Sequence, residues 1–109
     1  KLVETLVHRA VLTNNQHDVL YWQGNGEIDL VLRRGLTVTD LIQAVYSGLD
    51  DAKVLQRELA ALHEAGMQFP QAKKWLLTFD NPKQLPGEIP KDVQFLPLWH
   101  YLLLDINRR

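Results

Sequence analysis

Cysteine is absent from this chain, and methionine occurs once. Without thiols there is no disulfide framework and no thiolate metal site, which fits a reducing compartment. An excess of positive charge is also lacking: 12 Lys and Arg stand against 13 Asp and Glu, a net charge of −1. That balance gives no global electrostatic grip on nucleic acid, although it leaves room for a local basic patch. No apolar run approaches the roughly 18 residues of a membrane-spanning helix. The longest are strand-sized, so no membrane partner is expected. Internal repeats and low-complexity segments are missing too. What remains is globular in character: 109 residues, 46% apolar and 23% charged, enough for one domain over 1–109.

The chain opens inside an amphipathic pattern. Leu2, Val3, Leu6, Val7, Ala10 and Val11 recur at helical spacing, with no Ser, Thr, Asp or Asn ahead of them to cap the helix. We expect a helix over 2–14, ended by Asn14 and Asn15, in a domain cut from a longer protein. Residues 18–23 are aromatic and β-branched, hence strand. The Gly24-Asn25-Gly26 stretch is a hairpin turn. Residues 27–34 alternate, which predicts a second strand with Ile28, Leu30 and Leu32 on one face and Glu27, Asp29, Val31 and Arg33 on the other. Gly35 turns the chain into a third strand over 38–46.

Asp50 or Asp51 is placed to cap a helix running to about Ala65, with Leu55, Leu59 and Leu62 as its buried stripe and Gly66 as its stop. A fourth strand is expected over 73–79 and an exposed, proline-rich loop over 80–92. A short fifth strand over 93–96 and a helix over 98–104 follow, with Arg108 and Arg109 as a frayed tail. The order αβββαβ, with a short βα tail, predicts a small α/β (α+β) domain. Its sheet is mixed: the crossing helix lets the fourth strand run parallel to a neighbour.

Glu27 and Asp29 lie two apart on a strand and so share a face. If strands two and three pair as a hairpin, Gln43 lies across from Asp29, and Glu4 of the first helix can approach the same edge. Carboxylates and an amide oxygen are hard ligands of the kind Mg²⁺ takes, and such an ion can polarise a scissile phosphate. Periodicity alone favours a hairpin whose polar face is solvated.

Residues 20–46 carry a resemblance. Tyr21-Trp22, a short turn, the Glu27-Ile28-Asp29-Leu30-Val31 strand and Ile42-Gln43-Ala44-Val45-Tyr46 are followed by Arg57-Glu58-Leu59-Ala60-Ala61-Leu62 and Pro97-Leu98-Trp99. In order and spacing this resembles the uncharacterised C-terminal domain of prokaryotic AAA-type ATPases. That domain is similar in topology to the PD-(D/E)xK nucleases, the restriction-endonuclease-like fold. The resemblance implies Glu4 as the helix acid, Asp29 as the metal-binding acid and Gln43 at the Glu/Gln position, with Mg or Mn as the ion. ATP would bind only in the part of the parent protein outside this chain.

Val45 falls where such nucleases carry Lys. Valine cannot stabilise developing charge or position water, and a missing charge partner costs about 10²–10³-fold in rate. Lys74, Arg33, Arg34 and Arg57 are the candidates for a migrated basic group.

The other residues carry bland readings. His8, His17, His63 and His100 lack metal-site spacing. Gly24-x-Gly26 opens a strand rather than a helix and is no phosphate loop. Trp22, Trp75 and Trp99 are read as core. The resemblance therefore implies a degenerate nuclease-like accessory domain in the cytoplasm, with the ATPase core of its own chain, DNA or a protein as partner. The alternatives are a protein-interaction or oligomerisation module with a vestigial site, and an active Mg- or Mn-dependent nuclease.

Overall fold

In the computed structural model, residues 18–79 and 85–107 are described. The expected helix over 2–14, Glu4 within it, part of the 80–92 loop and the Arg108-Arg109 tail lie outside them. The described elements run β1 (Asp18–Gln23), β2 (Glu27–Arg34), β3 (Thr37–Val45), α1 (Ala52–Gln68), β4 (Lys73–Thr78), β5 (Val93–Pro97) and α2 (Leu98–Asn107). The strands form one sheet in the order β1-β2-β3-β4-β5. β1, β2 and β3 are antiparallel neighbours, whereas β4 is parallel to β3 and β5 parallel to β4. The domain is thus α+β with a mixed sheet, as the element order predicts.

Two apolar layers cover the two faces. On the first, Ile28, Val31, Val38, Leu41, Val45 and Leu76 meet Leu55, Ala61, Leu62 and Ala65 of α1. On the second, Leu30, Leu32, Ile42, Trp75 and Leu77 meet Leu98, with Tyr101 and Leu102 of α2 packed against them. Central strands buried on both faces read as continuous apolar runs; β4 does so through Trp75, Leu76 and Leu77, whereas β3 buries the polar Asp40 and Gln43 among its apolar residues.

The face assignment expected for β2 is corrected here. Ile28 packs with Val31 on the α1 face, opposite Leu30 and Leu32. The cause is a bulge. Between the pairs Leu20↔Val31 and Trp22↔Ile28, β1 advances two residues and β2 three, so β2 holds one extra residue at Asp29–Leu30. An extra residue shifts the alternation by one and increases the local twist. A second bulge lies in β3, where Thr39 is extra between Leu32↔Asp40 and Arg33↔Val38; the Thr39 hydroxyl donates to the Leu32 carbonyl.

One alternative is resolved and two smaller expectations change. Asp51 is the N-cap of α1, its carboxylate accepting from the Lys53 N–H. Gly66 does not stop the helix, which continues to Gln68 with Phe69 as C-cap. Gly66 serves packing instead: a Cβ there would collide with the Lys74 side chain, which crosses the helix to pair with Asp92. Trp99 is not core but 58% exposed, and its ring stacks on His100. Its place on the outer side of α2 explains this, because Leu98 is the neighbour that turns inward.

Trp75 is core. Its indole N–H donates to the buried Asp40 carboxylate at 2.8 Å, and its ring meets Tyr101 edge-on at 5.0 Å. A buried carboxylate deprived of a donor costs about 1–3 kcal/mol or more. Trp75→Phe keeps a ring but removes that donor. It should lower unfolding free energy in urea by at least about 1–3 kcal/mol, and a variant as stable as the wild type would refute this role for Asp40.

Candidate functional site

The site is built where β2 leaves β3. The β2–β3 ladder ends at Leu30↔Ile42; beyond it the bulge carries Glu27, Ile28 and Asp29 away. Two side chains continue the ladder in place of backbone. The Gln43 amide donates to the Glu27 carbonyl at 2.7 Å and accepts from the Asp29 N–H at 3.0 Å. In return, the Asp29 carboxylate accepts from the Ala44 N–H at 3.3 Å. Asp29 and Gln43, which the sequence sets across from one another, are therefore in contact. Gln43 is 0% exposed, and both ends of its amide are engaged with β2. Val45 is 7% exposed and belongs to the α1-facing core.

The gap opened by the bulge is a cleft of about 370 Å³ lined by Asn25, Gly26, Glu27, Asp29, Arg57, Glu58 and Ala61. Glu27 and Asp29 share it, as their spacing predicts. The opposite wall is α1. Glu58 is the residue that sequence reasoning missed. Its signal was legible in the helix register: it lies three after Leu55 and four before Leu62, an acid within the apolar stripe.

Burial holds both inner acids above their ordinary values. For Asp29, burial outweighs the lowering effect of the Ala44 N–H, and the Glu27 charge adds to it. For Glu58, burial is the first cause and the Asp29 charge the second, with the Arg57 guanidinium, 3.8 Å away, pulling the other way. Outside the cleft, the Tyr21 hydroxyl is held above its ordinary value, by desolvation first and then by the neighbouring Glu27 and Asp29 acids.

Of the candidate basic groups, only Arg57 lines the cleft. Lys74 pairs with Asp92, and Arg33 with Asp18 at 2.9 Å. The described residues do not fit a Mg or Mn site. Among them, no group of three or more His, Cys, Asp or Glu side chains is arranged to hold an ion, and the Gln43 oxygen faces the Asp29 N–H.

The hairpin tip forms one end of the cleft. Glu64 of α1 accepts from the Asn25 and Gly26 N–H groups at 3.0 and 3.1 Å, which holds its carboxyl below the ordinary value. Trp22, read as core, packs partly buried against the α1 face, and its indole N–H reaches Gln68 at 3.1 Å.

Comparison with known proteins adds no relative: no family model, curated protein or solved structure matches the chain. No helix among the described residues is long and apolar enough to cross a membrane.

Two predictions follow from this geometry. Gln43→Leu keeps the bulk but strands the Glu27 carbonyl and the Asp29 N–H. Glu27 is exposed and both bonds are part-buried, so the two orphans together should cost about 1–3 kcal/mol in urea; a variant as stable as the wild type would show that the amide bridge is dispensable.

The second concerns pH. A carboxyl whose folded pKa is raised binds its proton more readily in the native state, so its ionisation lowers stability as pH rises through the folded value. Glu58→Gln should therefore be more stable than wild type at neutral pH. The difference should shrink as pH falls toward 4.5, the ordinary value for Glu58. A difference that stays constant with pH would contradict a raised Glu58.

Proposed function

We propose that the chain is a degenerate nuclease-like accessory domain of an AAA-type ATPase, acting in the cytoplasm beside the ATPase core of its own chain. It holds a partner without efficient cleavage. The observation that carries this reading is the engagement of Gln43 and Val45. In the nucleases that the sequence resembles, those two positions supply a metal ligand and a cation. Here one is tied to the backbone of β2 and the other is an apolar residue inside the core. Asp29 thus lacks both companions.

The charge of the cleft bears on the partner. Glu27, Asp29 and Glu58 set three carboxylates against one guanidinium, a field that repels phosphate. That favours a protein over DNA. An interaction or oligomerisation module with a vestigial site is the same reading taken to its limit.

A second reading, an active Mg- or Mn-dependent nuclease, has one observation in its favour: Arg57 lines the same cleft as Asp29 and is the one cation able to replace the missing lysine there.

The two readings part in a cleavage assay. The 109-residue chain, Asp29→Ala and Arg57→Ala are incubated with plasmid DNA in Mg²⁺ and in Mn²⁺. The expected result is no nicking by the wild type beyond that of Asp29→Ala. In a parallel Mn²⁺ titration of ¹⁵N-labelled chain, no paramagnetic broadening should centre on Asp29. Nicking that vanishes in both variants would overturn the degenerate reading and establish the nuclease.

A further inference from the structure

We propose that the far part of the first hairpin, residues 23–27, is a hinged flap over the acidic cleft, held shut by Glu64. It turns about Ile28, which is 0% exposed in the α1-facing core just before the β2 bulge. On one side of it, Leu30 and Val31 are locked into the sheet by pairing with Ile42 and Leu41. On the other, Glu27 pairs only with Gln23 of the same hairpin, so residues 23–27 form a unit outside the main ladder. Bulges bend a strand at such a point.

The unit is fastened by side chains. Gln43 holds its root, through the Glu27 carbonyl and the Asp29 N–H. Glu64 holds its tip, with one carboxylate oxygen on each of the Asn25 and Gly26 N–H groups. Trp22 to Gln68 is a weaker tie between neutral groups. Closure also depends on glycine: a Cβ on Gly26 would stand 2.9 Å from the Ala61 Cβ, so the tip seats on α1 only because Gly26 has no side chain. Asn25 and Gly26 line the cleft together with Ala61, hence lifting the tip widens it. Hydrogen bonds to a charged acceptor are stronger than neutral ones, so Glu64 is the main clasp of the tip, while Ile28 and Trp22 stay packed in the α1-facing layer. None of this depends on what the cleft binds.

Amide hydrogen exchange on the 109-residue chain tests the flap, using two variants that act differently. Glu64→Ala removes the clasp; Gly26→Ala leaves it in place and wedges the tip off Ala61. Both should speed exchange of the Asn25 N–H by about tenfold or more and shift the resonances of Glu27 and Glu58. The amides of Leu76 and Leu77, in the centre of the sheet, should keep their wild-type protection. Unchanged exchange at Asn25 in Glu64→Ala would overturn the proposal. So would faster exchange that reaches Leu76 and Leu77 equally, because the loss would then be global rather than a local opening.

Discussion

A β-strand that leaves its neighbour exposes backbone donors and acceptors, and inside a protein those groups must find partners. In this domain that problem arises once at the heart of the sheet, where the bulge at Asp29–Leu30 carries the start of β2 away from β3. The Gln43 amide solves it. With a donor and an acceptor on one planar group, it fits a carbonyl at Glu27 and an N–H at Asp29 two residues apart. Asparagine carries the same two groups on a shorter stem and reaches less far. The sheet can therefore be interrupted without an orphaned group, and the interruption leaves room for the cleft.

The same bulge accounts for the electrostatics. It puts Ile28 on the α1 face, where that residue anchors the departing strand in the core, and it turns Asp29 toward α1 beside Glu27. Glu58 arrives from the other side because it lies in the inward stripe of α1. Three acids thus meet in a half-buried space with one arginine at its rim. Their mutual repulsion and desolvation work against folding, and the apolar layer beneath α1 together with the N-cap at Asp51 must outweigh them.

Much of the fold was legible in the residues. β1, β2 and the hairpin turn follow from β-branched and aromatic runs around Asn25-Gly26, and α1 follows from its Leu stripe and Asp cap. The facing of β2 was not legible. Alternation assigns Ile28 to the side of Leu30 and Leu32, and only pairing with β1 reveals the extra residue, because a bulge is a property of two strands rather than one. Gly66 misled for a related reason: as a lone sequence signal it reads as a helix stop, while its role is to let Lys74 cross. Trp99 misled because aromatic area favours burial on average, yet a helix at the sheet's edge has an outer side. At the site, the contact between Asp29 and Gln43 was foreseeable from hairpin geometry. The direction of the Gln43 amide was not, since it answers a break in the ladder that the sequence does not announce.

The double use of Gln43 also limits which residues positions 43 and 45 accept. A lysine at position 45 would place its stem in the apolar layer that Val45 shares with Leu41, Leu62 and Leu76, at the cost of desolvating its charge. A glutamate at position 43 would keep an acceptor for the Asp29 N–H but offer no donor to the Glu27 carbonyl, and it would add a fourth negative charge beside three. Either substitution therefore works against the fold. A glutamine at this position is stable because it serves the backbone, and the residues around it have been arranged on that basis. The uncharged pair at positions 43 and 45 is in this sense one structural commitment: the amide closes the sheet, the valine fills the core beneath it, and the acids line a cleft that the bulge has opened.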